Sequence, residues 1–116
     1  MISAVFRAAF FGDRRRWLGF RIAGHADFDD PGRDIVCAAV SALSQAAVIG
    51  ITEVVGVPAT WNRDAGELSL DLPFDDGYLE ATDVLLETVY LALADLSEQY
   101  PGELGVRIVY SNERGR

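Results

Sequence analysis

Hydrophobic and polar residues alternate with a period of two over several short stretches of the chain, and this period is typical of strands with one buried face. From Ile2 to Phe10 every even position is apolar, and the same holds for the even positions of residues 17–23. We expect these positions to face the core. Residues 12–16 lie between the two stretches, are mostly polar and favour a turn. The first 23 residues therefore predict an antiparallel hairpin.

A second hairpin is predicted between Glu53 and Pro73. Its first strand, residues 53–61, has apolar residues at the odd positions from 55 onward, and its second strand, residues 67–73, has leucine at every even position. The sequence Asn-Arg-Asp-Ala-Gly between them favours a turn. The segment Gly105–Tyr110 predicts a final strand.

Two helices are predicted, one after each hairpin. Asp34 is a favourable N-cap for the first helix, which is expected to run to about Ile51 with apolar residues on nearly all sides. Such a helix needs burial on two sides. The second helix is expected to begin at Asp75-Asp76-Gly77 and to be stopped by Pro101. Its outward face carries acidic residues for which we expect no basic partner: Glu80, Asp83, Glu87, Asp95 and Glu98.

The elements follow each other in the order strand, strand, helix, strand, strand, helix, strand. This order predicts an α+β fold with two helices packed on one largely antiparallel sheet. Because no linker, repeat or low-complexity segment divides the sequence, residues 1–116 are expected to form a single domain. Half of the residues are hydrophobic, so a chain of this length can bury a core without a disulfide or a metal.

The charge balance narrows the range of partners. Eighteen aspartates and glutamates stand against ten arginines, and the formal net charge is -8. This charge repels phosphate backbones, so nucleic acid is not an expected partner. A cationic protein or peptide would instead be attracted.

The sequence favours a cytoplasmic location without a membrane partner. One cysteine cannot form an internal disulfide, and residues 1–11 have no basic region ahead of their apolar residues. The longest near-apolar stretch, Ile35–Ile51, is interrupted by polar residues and is short for a bilayer span of about 20 residues.

The chemistry-bearing residues are the only histidine, His25, and the only cysteine, Cys37. If the helix begins after Asp34, Cys37 lies in its first turn, where free amide hydrogens and the positive end of the helix dipole favour a thiolate. The same amides are expected to stabilise an oxyanion. His25 can act as general base and then general acid for such a nucleophile. Asp34 either orients His25 or only caps the helix.

Two other interpretations of Cys37 follow from the residue types alone. A cysteine in an apolar helix is more commonly a packing residue than a nucleophile. A reactive thiol without peptide turnover would instead be a redox sensor.

The segment from Gly24 to Ser41 resembles the signature of the ribosomal-processing cysteine protease family, Prp. The resemblance is carried by Gly24-His25-Ala26, by a loop containing Gly32, and by Asp34-Ile35-Val36-Cys37-Ala38-Ala39-Val40-Ser41. It implies a homodimeric bacterial endopeptidase of the cytoplasm that removes a short N-terminal extension from a large-subunit ribosomal protein. It also implies that Cys37 is the nucleophile and His25 the general base, and that cleavage follows an apolar stretch ending in aromatic residues and precedes alanine.

Residues of the loop predicted from Gly24 to Arg33 are candidates for substrate binding in the same reaction. Asp27, Asp29 and Asp30 either recruit a basic substrate or belong to an ordinary solvated loop. Gly24 and Gly32 either form the ends of a gate or serve only in turns. The spacing of His25, Cys37 and the loop aspartates matches no dedicated metal site, so no metal or cofactor is expected. The alternative function is a non-catalytic, dimeric, acidic assembly factor that binds a basic ribosomal protein and uses Cys37 only for packing.

Overall fold

The fold is described by a computed structural model for residues 1–24, 31–64, 66–73 and 79–111. The elements are β1 (Ile2–Phe11), β2 (Arg14–Ala23), α1 (Pro31–Ile49) with a π-helical extension (Gly50–Val55), β3 (Thr60–Asp64), β4 (Glu67–Asp71), α2 (Leu79–Gln99) and β5 (Leu104–Tyr110). The predicted order of strands and helices and the α+β class are confirmed.

The five strands form one sheet in the order β3-β4-β2-β1-β5. The β1–β2, β2–β4 and β3–β4 pairs are antiparallel, whereas β1 and β5 are parallel. The parallel pair arises because α2 carries the chain back along the sheet before β5 begins. Both helices contribute to one core with the inward residues of β1, β2 and β4. The sheet is therefore mixed, and it is largely antiparallel as predicted.

The core centres on aromatic residues from the first hairpin. Ile2, Ala4, Phe6 and Ala8 are buried as predicted, and Phe6 meets Trp17 edge to face with ring centroids 5.7 Å apart. The prediction that Phe10 faces the core is wrong, since Phe10 is exposed and stacks on Tyr110 of β5.

A β-bulge corrects the predicted inward face of β2. Arg7 pairs with Gly19 and Ala8 pairs with Trp17, so Leu18 is an extra residue between two consecutive partners of β1. The alternation shifts by one position there. Trp17 is consequently buried, whereas Leu18, which was predicted to face inward, is only half-buried.

The first helix is longer than predicted at both ends. Residues 53–55, which the alternation assigned to a strand, continue the helix as a π-turn that ends at Gly56. Gly56 has φ 88° and donates its N–H to the carbonyl of Ile51 at 3.1 Å, a left-handed ending that glycine adopts without strain.

The stretch Ile35–Val55 is long and apolar enough to span a membrane by length and composition, and 39% of its most apolar window is buried inside the protein. A core helix of a soluble protein passes the same test. The absence of a membrane partner remains a prediction, and the length of this apolar stretch does not support it.

The acidic face of α2 has partners on β2, which corrects the expectation that no base lies near it. Arg15 donates through Nη2 to both carboxylate oxygens of Glu87, at 3.0 and 3.1 Å, and Trp17 Nε1 donates to Glu87 at 3.0 Å. The backbone N–H of Trp17 donates to Asp83 at 3.0 Å. These bonds attach the N-terminal half of α2 to the first hairpin.

We expect Glu87→Gln to destabilise the fold in a pH-dependent way. The hydrogen bond from Trp17, together with Arg15, holds the pKa of Glu87 below its ordinary 4.5. A carboxylate with a lowered folded-state pKa stabilises the fold above its unfolded pKa, and this contribution is lost as the pH falls through the folded value. The variant should lose about 1 kcal/mol at neutral pH and almost nothing in strong acid.

Urea unfolding of the wild type and of Glu87→Gln, at neutral pH and in strong acid, measures the difference in the free energy of unfolding. Glu98→Gln is a suitable control, because Glu98 is exposed on the same helix. Burial raises the pKa of Asp83, so its own contribution to the pH dependence has the opposite sign. The Glu87 charge adds to this rise, so the substitution also relieves part of it. An equal loss of stability for Glu87→Gln at both pH values would contradict the role of its charge.

Candidate active site

Cys37 lies on α1 with its side chain half-buried at the margin of the core. It lines an open cavity of about 330 Å³ between α1 and the strands. The other lining residues are Ile2, Ile22, Gly24, Val40, Ser41, Ser44, Gln45, Arg63, Asp64, Gly66, Glu67 and Leu68. The cysteine therefore borders a cavity that is open to solvent, which a purely packing role does not require.

The structure corrects the position of Cys37 within its helix. Helix α1 begins at Pro31, so Asp34 is its fourth residue and Cys37 its seventh. Proline suits a helix start because its missing N–H is not needed there. The predicted N-cap role of Asp34 is therefore wrong, and the amides of the first turn precede Cys37. The helix-end effect fades within the first turn, so it supports neither the thiolate nor the oxyanion site.

Gly24 ends β2 at the edge of the same cavity. Its φ is +86°, and a Cβ at this position would lie 2.6 Å from the carbonyl oxygen of Met1. Its N–H donates to the carbonyl of Gly66 at 3.0 Å, which connects the end of β2 to the turn between β3 and β4. Backbone conformation and close packing thus require glycine here. Its role as one end of a gate remains a prediction.

The remaining predicted site residues lie at the start of α1 or outside the described residues. Gly32 is in the first turn of α1, so residues 31–33 are helical and not part of the predicted loop. His25, Asp27, Asp29 and Asp30 are outside the described residues. Their proposed roles remain predictions.

One wall of the cavity is polar and comes from α1. Ser41 and Gln45 follow Cys37 at intervals of four, which places the three side chains on one helix face. Ser44 is buried, and its hydroxyl donates to the carbonyl of Val40 at 2.7 Å. The helical period could have identified Ser41 and Gln45 from the sequence as neighbours of Cys37.

The opposite wall is the β3–β4 hairpin, which the sequence analysis did not connect with the site. Arg63 donates through Nη1 to Gln45 Oε1 at 2.9 Å and so joins β3 to α1. Asp64 and Glu67 also line the cavity. Glu67 forms an ion pair with Arg21, in which Nε of Arg21 lies 2.8 Å from Oε2 of Glu67. Only packing brings this hairpin beside Cys37.

Within the described parts of the chain, no group of three or more histidine, cysteine, aspartate or glutamate side chains is arranged to hold a metal ion. The expectation that the reaction needs no metal remains a prediction.

Comparison with known proteins identifies related sequences. A family model described as cysteine protease Prp matches residues 1–104. The ribosomal processing cysteine protease Prp of Bacillus subtilis (strain 168) is 28% identical over 93 residues, which cover 77% of this chain and 83% of that protein.

Solved structures share the fold. The crystal structure of SMU.848 from Streptococcus mutans superposes with a TM-score of 0.82 at 27% identity, covering 96% of this chain and 99% of that one. The ribosomal processing protease Prp of S. aureus, in complex with a substrate peptide, gives a TM-score of 0.75 at 24% identity and covers 96% and 100% of the two chains. A second S. aureus structure, with a covalently linked product peptide, gives 0.74 at 24% identity over the same shares.

Proposed function

The chain belongs to the cysteine protease Prp family, and from this premise we propose that it is a cytoplasmic endopeptidase that processes a ribosomal protein precursor. Its substrate is a large-subunit ribosomal protein with a short apolar N-terminal extension, which the enzyme removes. The observation that carries the proposal is the shared cavity of Cys37 and Gly24. His25 directly follows Gly24 in the sequence, so the only histidine is attached to a residue of the thiol cavity.

In the proposed reaction, Cys37 is the nucleophile and His25 transfers the protons. His25 takes the proton of the thiol, and the sulfur attacks the carbonyl carbon of the scissile peptide bond. The C–N bond breaks as His25 returns the proton to the leaving amine, which leaves a thioester on the extension. Water then attacks this thioester with His25 as base, and the free thiol is restored.

Two observations support this route. The S. aureus relative has been crystallised with a covalently linked product peptide, and a covalent enzyme–peptide species is what nucleophilic catalysis forms. In this chain, the thiol is partly accessible and borders a cavity instead of lying deep in the core. Because the helix-end contribution is absent, we assign activation of the thiol to His25.

The cavity suits a substrate with an apolar extension followed by a basic segment. Ile2, Ile22 and Leu68 supply apolar lining to the cavity of Cys37, and Asp64 adds a carboxylate to it. The carboxylate of Glu67 is paired with Arg21. The net charge of -8 attracts a basic protein over a longer range. Asp27, Asp29 and Asp30 are proposed to add to this attraction.

The direct test is mass spectrometry of a ribosomal precursor that carries an apolar N-terminal extension, after incubation with the wild-type protein. A single cut before alanine, with loss of the extension, is expected. An intact precursor that nevertheless binds the protein would favour the non-catalytic assembly factor instead.

We also propose that the active form is a homodimer assembled through the outer face of the two helices. A shallow depression of about 930 Å³ on this face is mostly apolar and contains one carboxylate, and its Val84 is 65% exposed. It is lined by Ala46 of α1 and by Glu80, Ala81, Val84, Leu85, Thr88 and Val89 of α2. Such a patch can meet its own copy across a two-fold axis, because apolar surface then packs against identical apolar surface.

Val84→Glu is expected to convert the dimer into a monomer, since two buried carboxylates would face each other near the symmetry axis. Light scattering at micromolar protein concentration measures the mass. Val109→Glu is the matched control, because Val109 is exposed on β5 and pairs with Arg7 on the opposite face of the sheet. A monomeric wild type would overturn the proposed assembly.

A further inference from the structure

The cavity of Cys37 continues into a second, smaller one along α1. The second cavity has a volume of about 120 Å³ and is lined by Gln45, Val48, Ile49, Thr52, Glu53, Trp61, Arg63 and Leu68. Gln45, Arg63 and Leu68 line both cavities. The two cavities are therefore adjacent between α1 and the β3–β4 hairpin, and we call them together the α1–β3 groove.

The groove has the length of a short extended peptide. Cys37 lies at one end and Ile49 near the other, twelve residues apart on one helix. A helix rises about 1.5 Å per residue, so these positions are about 18 Å apart along the axis. An extended chain advances about 3.3 Å per residue, so five or six substrate residues span the distance.

The far end of the groove presents large apolar side chains to solvent. Trp61 and Ile49 are each 50% exposed. Trp61 pairs with the fully buried Leu70 of β4, so its side chain lies on the face of the sheet that α1 covers. An indole beside aliphatic side chains binds aromatic and aliphatic groups well, because it buries much area at a low entropic cost.

The middle of the groove is polar. The hydrogen bond between Arg63 and Gln45 joins its two walls there. A guanidinium has five N–H donors, so Arg63 retains donors for carbonyl groups of a peptide while it holds Gln45. The groove thus combines an apolar end, polar groups in the middle and the thiol at the other end.

We propose that the far end of the α1–β3 groove is a remote specificity subsite, in which Trp61 binds a large apolar side chain of the substrate. That side chain lies about five residues on the N-terminal side of the scissile bond, as the length of the groove requires. The occupant is the apolar extension and not the basic remainder, because the large half-exposed side chains at this end, Trp61 and Ile49, are apolar and outweigh the single carboxylate of Glu53. This inference rests on the proposed protease function and adds a determinant of substrate length to it.

The test compares two synthetic peptides that share the junction Phe-Phe-Ala. The long peptide has about eight residues before the cut with leucine at the fifth, and the short one has only three. Trp61→Ala should raise KM for the long peptide about tenfold, leave its kcat unchanged and leave both constants for the short peptide unchanged. Trp61→Phe should restore most of the affinity.

A third peptide carries serine in place of that leucine. It should bind the wild type about as weakly as the long peptide binds Trp61→Ala, and the substitution in the enzyme should then add no further loss. Tyr110→Ala is the control enzyme, because Tyr110 is 49% exposed on the opposite edge strand, β5. It should leave all three peptides unaffected.

Each of the following outcomes would contradict the proposed subsite. An equal rise in KM for the long and short peptides, or no rise for either, removes Trp61 as a remote determinant while the protease function stands. A change in mass by light scattering for Trp61→Ala would assign Trp61 to a subunit interface instead. Failure of the wild type to cleave any of the peptides or the intact precursor would remove the protease function and the subsite with it.

Discussion

Replacement of Cys37 with alanine is expected to reduce peptide cleavage by about four orders of magnitude or more, because no other group in the proposed reaction forms the covalent intermediate. The substitution removes one sulfur atom from a half-buried position. The fold should therefore survive, with a change in the free energy of unfolding of about 1 kcal/mol or less.

Cleavage of the precursor, followed by mass spectrometry, measures the loss, and urea unfolding checks the fold. Ala38→Ser is the control, because Ala38 is exposed on α1 beside Cys37 and does not line the cavity. It should cleave at the wild-type rate. Cleavage by Cys37→Ala at a comparable rate would exclude Cys37 as the nucleophile and return it to the packing role.

Replacement of His25 with alanine should reduce kcat/KM by about three orders of magnitude, since general acid–base catalysis contributes on that scale. The wild-type rate should fall in acid, because a protonated imidazole cannot accept the proton of the thiol. This acid limb should disappear in the variant.

Added imidazole distinguishes a catalytic role of His25 from a structural one. It should restore part of the activity of His25→Ala, because it can transfer the same proton from solution, and it should not restore Cys37→Ala. An unchanged pH profile in His25→Ala without rescue would show that His25 is not the general base.

The strand pattern was predictable because it is local. Ile2, Ala4, Phe6 and Ala8 alternate with other residues, and all four are buried against the helices. The β2 pattern was predicted less well, since the register of Leu18 depends on which β1 residues face it. A bulge is a property of a strand pair, and a single strand does not reveal it.

The helix ends show the same division. Proline and aspartate are both good residues for a helix start, and the predicted start after Asp34 is wrong because α1 begins at Pro31. The wrong start placed Cys37 in the first turn, where free amides and the helix dipole were expected to stabilise its thiolate. The helical period, in contrast, is enough to place Ser41 and Gln45 on the face of Cys37, although no prediction was made for these two residues.

Sequence alone determined the α+β class, the first hairpin and the family resemblance of residues 24–41, because each depends on residue types at short, regular spacings. Only the tertiary structure decided that Asp83 and Glu87 bind the β2 strand, and that Arg63 and Trp61 line a groove leading from Cys37. These contacts join residues that are far apart in the chain. They depend on how the sheet pairs and where the helices pack on it, and no local pattern records that arrangement.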